Sequence, residues 1–351
     1  MTKEQQLVLA LCSMEPNSDV IIPLLEHPLD FPYVLGQLLY NRVGGIAYHN
    51  LKQLGLLGRI NREFRNSLQC VWQANAGRAE SMRQALCQLG EWLADLPVPY
   101  AVLKGALLVE LYPLGLRSSN DVDFLIQPKD VAALSERLKQ LDFVQGHIRN
   151  GEFTPASRLE IISSRVNRGE TVPFVKQIDL PQMPFLEIDI NFSLSDRPGD
   201  DDLVHRFVSR CDRKTPHGLS TLCENDFFIH LCAHLYKEAV QGAWVMMGRD
   251  QSLYKYVDIQ LLMQSFTPDA MLTLAADILA SGLQKACCYT VSRTRELFDV
   301  RSAAVDALLD AITPADTRFL NEVYLPDDVT TRFDVPFVDW IFHHNRKELL
   351  Q

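Results

Sequence analysis

LKGALLVELYPLGLRSSNDVDFLI, residues 103–126, closes on an apolar run that two aspartates lead into. Asp121 and Asp123 flank Val122, and Phe124-Leu125-Ile126 follows. On a strand, residues i and i+2 share a face. Two carboxylates on one face repel each other and resist desolvation, so an apolar strand gains nothing from them unless a positive partner holds them. Upstream, Tyr100-Ala101-Val102-Leu103 reads as a short strand closed by Lys104-Gly105. Ala106 to Leu111 can form a short helix, stopped by Pro113 and Gly115.

A second acidic strand follows. In FLEIDINFSL, residues 185–194, Leu186, Ile188, Ile190 and Phe192 face one way, and Glu187, Asp189, Asn191 and Ser193 the other. If the two strands are neighbours, Asp189 joins Asp121 and Asp123. Three converging carboxylates are costly alone and favourable around Mg²⁺ (or Mn²⁺), which takes oxygen ligands. Two such ions can clamp nucleotide phosphates for in-line displacement. The competing reading of an isolated D-x-D is a solvated strand end. Gly105 lets the backbone approach a phosphate, and Lys104 can add a charge there or stand solvated. Arg117 can clamp a phosphate or pair with Asp121. Ser118 and Ser119 can donate to phosphate, although their simpler role is in the turn.

The surroundings are helical on both sides. Apolar residues recur at helical spacing over residues 1–96, with one long helix or two between Ile60 and Leu93. Residues 143–180 suggest short strands and a loop, rich in arginine. Past Pro198 the pattern turns helical again, from about Glu224 to Phe298, with breaks near Gly242, Gly248 and Pro268, and a shorter helical segment follows at 302–323. The implied division is 1–96, 97–200 and 201–351.

With 351 residues, 47% hydrophobic and 22% charged, the composition is that of a globular protein. A net charge of −10 provides no general attraction for nucleic acid or anionic membranes. Eight cysteines without a CxxC pair read as reduced thiols with no disulfides. No leader is read at MTKEQQLVLALCSM, and no run of 18 apolar residues occurs, so a cytoplasmic protein outside the membrane is expected.

Other candidates weigh less. His230, His234 and Lys237 form one helical stripe, but Leu231 breaks any H-E-x-x-H. A helix interface is the simpler reading, and contact of His234 and Lys237 with a triphosphate or base is the sharper one. Asp258 is a lone acid in an apolar helix. Cys287-Cys288 face different environments. There is no G-x-x-x-x-G-K-[ST] and no G-x-S-x-G, which argues against a P-loop kinase and an α/β-hydrolase.

LKGALLVELYPLGLRSSNDVDFLI together with LEIDINFSL resembles the nucleotidyltransferase superfamily of the polymerase-β type, and within it a bacterial group of uncharacterised nucleotidyltransferases. The likeness covers residues 98–195 and extends weakly through FFIHLCAHLYKE and YKYVDIQLLM. It implies an α+β fold with a small mixed-sheet nucleotidyltransferase core between N-terminal and C-terminal helical regions. It also implies Mg²⁺ and an NTP, with NMP moved to an acceptor hydroxyl and pyrophosphate released. By motif position Asp121 and Asp123 are the paired metal ligands and Asp189 the third carboxylate, with Glu187 as its competitor. Lys104, Gly105, Arg117, Ser118, Ser119, His234 and Lys237 are the expected nucleotide contacts. The chain departs from the pattern at Ala106, where many relatives carry Gly or Ser, and at Asn191-Phe192, where close relatives carry His and Trp. The acceptor is a small molecule or peptide in preference to tRNA, given the acidic charge. The alternative is a catalytically inactive nucleotide-binding or scaffold protein with the same fold.

Overall fold

The computed structural model describes residues 1–194, 199–300, 302–327 and 329–351. By contact the chain divides into two compact units, one of Ala74–His230 and one of Met1–Gln73 with Leu231–Gln351. The fold is α+β.

Unit Ala74–His230 is built on an eight-stranded sheet. Its strands are β1 (Tyr100–Val102), β2 (Asp121–Ile126), β3 (Val144–Arg149), β4 (Glu152–Pro155), β5 (Phe174–Leu180), β6 (Met183–Asn191), β7 (Arg213–Lys214) and β8 (Ser220–Thr221). Their order is β4-β3-β5-β6-β2-β1-β8-β7. The pairs β2–β6 and β1–β8 are parallel, and the rest are antiparallel. Alternation fixes the two faces of the central strands. Val122, Phe124 and Ile126 of β2 and Leu186, Ile188 and Ile190 of β6 enter one core. Leu86 and Leu89 of the helix Arg62–Trp92 and Leu134 and Leu138 of the helix Val131–Gln140 close it. Each such buried side chain contributes about 1.5–3 kcal/mol. The other face of β2 and β6 is left to the acids.

Two segments differ from the sequence expectation. Residues Arg158–Asn167 form a helix where strands and loop were expected, started by a capping box in which Ser157 and Glu160 satisfy each other's backbone N–H groups. Strands β7 and β8 lie within residues 201–351, assigned as a helical region, ahead of its periodic part from about Glu224. They are two residues each, too short to show a period, and Thr221 Oγ1 fastens β8 to β1 by donating to the Val102 carbonyl at 3.1 Å.

Between Ile60 and Leu93 there is one helix, Arg62–Trp92. It approaches the chain at His217 so closely that a Cβ on Gly90 would stand 1.9 Å from the His217 carbonyl oxygen. Alanine ordinarily improves a helix interior over glycine by about 1 kcal/mol. Gly90→Ala is expected instead to destabilise the protein by about 1–3 kcal/mol, read as a lower urea midpoint.

In the other unit, polar side chains join the N-terminal helices to the C-terminal ones. Gln260 Oε1 accepts from the Met14 N–H at 3.0 Å, and Asn41 Oδ1 accepts from the Leu253 N–H at 3.0 Å. Asn50 Nδ2 donates to the carbonyls of Leu11 and Ser13. The eight cysteines are free thiols. Among the described residues no helix is long and apolar enough to cross a membrane.

Candidate active site

Strands β2 and β6 run parallel and in register, with Asp121 opposite Glu187, Asp123 opposite Asp189 and Leu125 opposite Asn191. Paired residues of neighbouring strands point to the same side, and strands lie about 4.8 Å apart. The face away from the core therefore carries a two-by-two array of carboxylates. The register brings together the three aspartates singled out in the sequence and keeps Glu187 beside them, opposite the first residue of β2. Leu125 and Asn191 continue the same face, and the helix Asp201–Ser209 packs on β2.

Lys104 is the positive partner that the paired carboxylates call for. Its Nζ stands 2.7 Å from Asp123 Oδ1, with the lysine side chain 22% exposed and that of Asp123 6%. The backbone that delivers it is unusual. Lys104 has φ 42° and ψ −116°, a conformation natural to glycine and costing a side-chain-bearing residue about 1–3 kcal/mol. It is held there because the Leu103 N–H donates to the Asp123 carbonyl at 2.9 Å while the Lys104 carbonyl accepts from the N–H groups of Leu107 and Leu108. β1 thus turns abruptly into the helix Gly105–Leu111, and the turn throws the ammonium onto the acid face.

The segment before β2 is packed over that turn. A Cβ on Gly105 would meet Ser119 Oγ at 2.1 Å, so glycine is required here to admit Ser119. Ser119 Oγ in turn donates to Asp121 Oδ1 at 2.9 Å. Ser118 Oγ donates to Asn75 Oδ1 at 3.2 Å, and Arg117 Nη1 to the Ser118 carbonyl at 2.5 Å. Both serines are thus engaged in shaping the loop, and Ser119 also touches the site.

Charge is crowded on this face. Burial, then the Asp123 charge, raises the pKa of Asp121, against the opposing pull of Lys104 and Ser119. Burial, then Asp123 and Asp121, holds Asp189 well above the usual aspartate value. Glu187 is raised by burial and by Asp121. Burial works against the Lys104 ammonium, but Asp123, with Asp121 and Asp189 behind it, more than reverses this and keeps its pKa above that of an ordinary lysine. Asp189 feels both aspartates of β2 and Glu187 feels one, so Asp189 sits at the electrostatic centre.

A stability consequence follows. A carboxyl whose pKa is raised on folding contributes stability below its unfolded pKa, about 4, and loses it as pH rises through the folded value. Asp189→Asn removes one such acid. The metal-free variant is expected to exceed the wild type in stability at pH 7 by about 1 kcal/mol or more, with the gap closing towards pH 4. Thermal unfolding in chelator across that range checks it.

The donor set is carboxylate oxygen throughout, which suits a hard divalent cation. Among the described residues no three acidic, histidine or cysteine side chains are already disposed as a metal shell. Lys104 and Ser119 each occupy an oxygen on the acid face, Asp123 Oδ1 and Asp121 Oδ1.

His234 and Lys237 lie on the helix Glu224–Val240, in the other compact unit from the carboxylates. There His234 Nε2 is 3.4 Å from Glu238 Oε1, and Glu238 also pairs with Lys255. Asp258 is buried on the helix Leu253–Ser265. Two further participants were not among the expected site residues. Asn191 Nδ2 donates to Asp123 Oδ1 at 3.4 Å, and Glu170, bridged to Asn191, adds to the negative field at Asp189. The alternation of the strand had already placed Asn191 on the acidic face, next after Asp189. Glu170 gave no signal, since only the fold brings it there.

A family model described as uncharacterised nucleotidyltransferase matches residues 27–299. Searches of curated proteins and of solved structures gave no match.

Proposed function

The chain belongs to the uncharacterised nucleotidyltransferase family, and from that premise we propose that it moves an NMP from an NTP to an acceptor hydroxyl at the β2–β6 acid face, in the manner of an EC 2.7.7 enzyme. The observation that carries this reading is the in-register pairing of Asp123 with Asp189 beside Asp121. These three carboxylates would hold Mg²⁺ or Mn²⁺, with the NTP supplying further oxygens. The bound ion would neutralise the triphosphate and sharpen the electrophilic phosphorus. Lys104 and Arg117 would meet the phosphates as cations, with Gly105, Ser118 and Ser119 shaping the turn against them. The acceptor oxygen attacks the α-phosphorus, the bond to the β-phosphate oxygen breaks, and pyrophosphate leaves. Asp189, as the third carboxylate, helps take the acceptor's proton. A net charge of −10 favours a small molecule or peptide over tRNA as acceptor.

Transfer of label from NTP carrying ³²P at either the α or the γ position, presented with small-molecule, peptide and tRNA acceptors, tests the reading. Movement of the α-label with release of pyrophosphate, lost in Asp189→Asn, is the expected result. Movement of the γ-label would mean phosphoryl transfer and would overturn it.

A further inference from the structure

The acid face carries its own cation. Lys104 Nζ is 2.7 Å from Asp123 Oδ1, and Asn191 Nδ2 approaches the same oxygen at 3.4 Å. A Mg²⁺ ion binds oxygen at about 2.0–2.1 Å. Were it to share that oxygen with the ammonium, charges of +2 and +1 would stand within about 5 Å of each other and repel. The lysine is not simply a long side chain that swings aside at no cost. Its Cα is pinned by the positive-φ turn, with Leu103 tied to the Asp123 carbonyl and Leu107 and Leu108 tied to the Lys104 carbonyl. An anion placed directly over the carboxylates would offer the ammonium an alternative partner. A triphosphate on the acid face is such an anion.

The geometry points to Lys104 as a resident counter-cation that keeps divalent metal off Asp123 until a nucleoside triphosphate arrives to take the ammonium. The inference rests on the nucleotidyltransferase reading of this face and goes beyond it. Metal and nucleotide then bind as one coupled event. The bare ion must compete with Lys104, whereas with the nucleotide the lysine moves to phosphate oxygen and the ion takes its place at Asp123. The exchange is one of charge partners, with Lys104 an ammonium throughout. Coupling is reciprocal, so the ion must strengthen nucleotide binding by the same factor. The protein would bind metal only when the substrate is there to use it.

Mn²⁺ is the probe, its free fraction read by electron paramagnetic resonance with and without an α,β-methylene NTP that cannot be cleaved at the α-phosphorus. The wild type is expected to bind Mn²⁺ weakly alone and on the order of 10-fold or more tightly with the nucleotide. Lys104→Met removes the charge and keeps the bulk. It should bind Mn²⁺ alone on the order of 10-fold more tightly than the wild type, and gain less from the nucleotide. Lys104→Gly should do the same, and because glycine accepts the local backbone it guards against a folding defect in the first variant. If both variants are folded by circular dichroism and bind Mn²⁺ alone no better than the wild type, the counter-cation role is wrong, even where the wild type binds Mn²⁺ with nucleotide. If the wild type binds no Mn²⁺ even with nucleotide, the proposed function fails as well.

Discussion

Asp123→Asn is expected to lower nucleotidyl transfer by a factor on the order of 10³ while leaving the protein folded. Asparagine matches aspartate in shape, and the position is tightly enclosed, with the side chain 6% exposed and Asp123 Oδ1 in contact with Lys104 and Asn191. What the substitution removes is the negative charge that in-register pairing sets beside Asp189. In the proposed reaction a divalent ion and the charge building on the transferred phosphoryl group would both depend on that charge. Glu187→Gln is the internal control. Glu187 lies opposite Asp121, the first residue of β2, with a pKa raised by burial and by that one neighbour, and its loss should cost no more than about 10-fold. Steady-state rates with α-labelled NTP separate the two. A fall of less than 10-fold for Asp123→Asn, or equal losses at both positions, would contradict the placement of the reaction on the Asp123–Asp189 pair.

The second large effect lies in the other unit. Arg346 and Asp250 are both buried, with side chains 2% and 0% exposed, and Arg346 Nη1 donates to Asp250 Oδ1 at 2.5 Å. The guanidinium also donates to the carbonyls of Trp340 and Ile341. It thereby anchors the C-terminal segment in which Trp340 stacks on Phe333 with centroids 4.0 Å apart. Burial already raises the Asp250 pKa despite the arginine. Arg346→Ala leaves that carboxyl without its countercharge and is expected to destabilise the protein by about 3–5 kcal/mol. Without Arg346 the folded-state pKa of Asp250 climbs further, so the added loss grows as pH rises from about 4 towards neutrality. The double change Arg346→Met with Asp250→Leu, which removes both charges together, should recover most of the loss. Urea denaturation at pH 5 and pH 8 checks both statements.

Much of the site was legible because it follows strand periodicity. The alternation of FLEIDINFSL places Glu187, Asp189 and Asn191 on one face, and the structure keeps Leu186, Ile188 and Ile190 in the core. What periodicity leaves open is which strands are neighbours. Residues 123 and 189 are distant in sequence, and their pairing is set by β2 and β6 lying side by side with β5 beyond. Lys104 was legible as a charge near the site but not as a strained residue. The rules for φ above zero look for glycine, and here Gly105 comes one residue later, required by Ser119 instead. The helix Arg158–Asn167 announced itself in Ser157 and Glu160, but its arginines and β-branched neighbours masked the signal. The joining of N-terminal and C-terminal helices in one unit rests on side chains such as Gln260 and Asn41, whose partners more than 200 residues away leave no trace in local pattern.

Isothermal titration with each of the four NTPs, with and without Mg²⁺, alongside an Asp121→Asn/Asp123→Asn double variant, tests the central claim most directly. Metal-dependent binding of an NTP by the wild type, absent from the double variant, is the predicted result. Binding that is the same without metal, or that survives in the double variant, would contradict a carboxylate-held metal site and leave the fold as a scaffold without this chemistry.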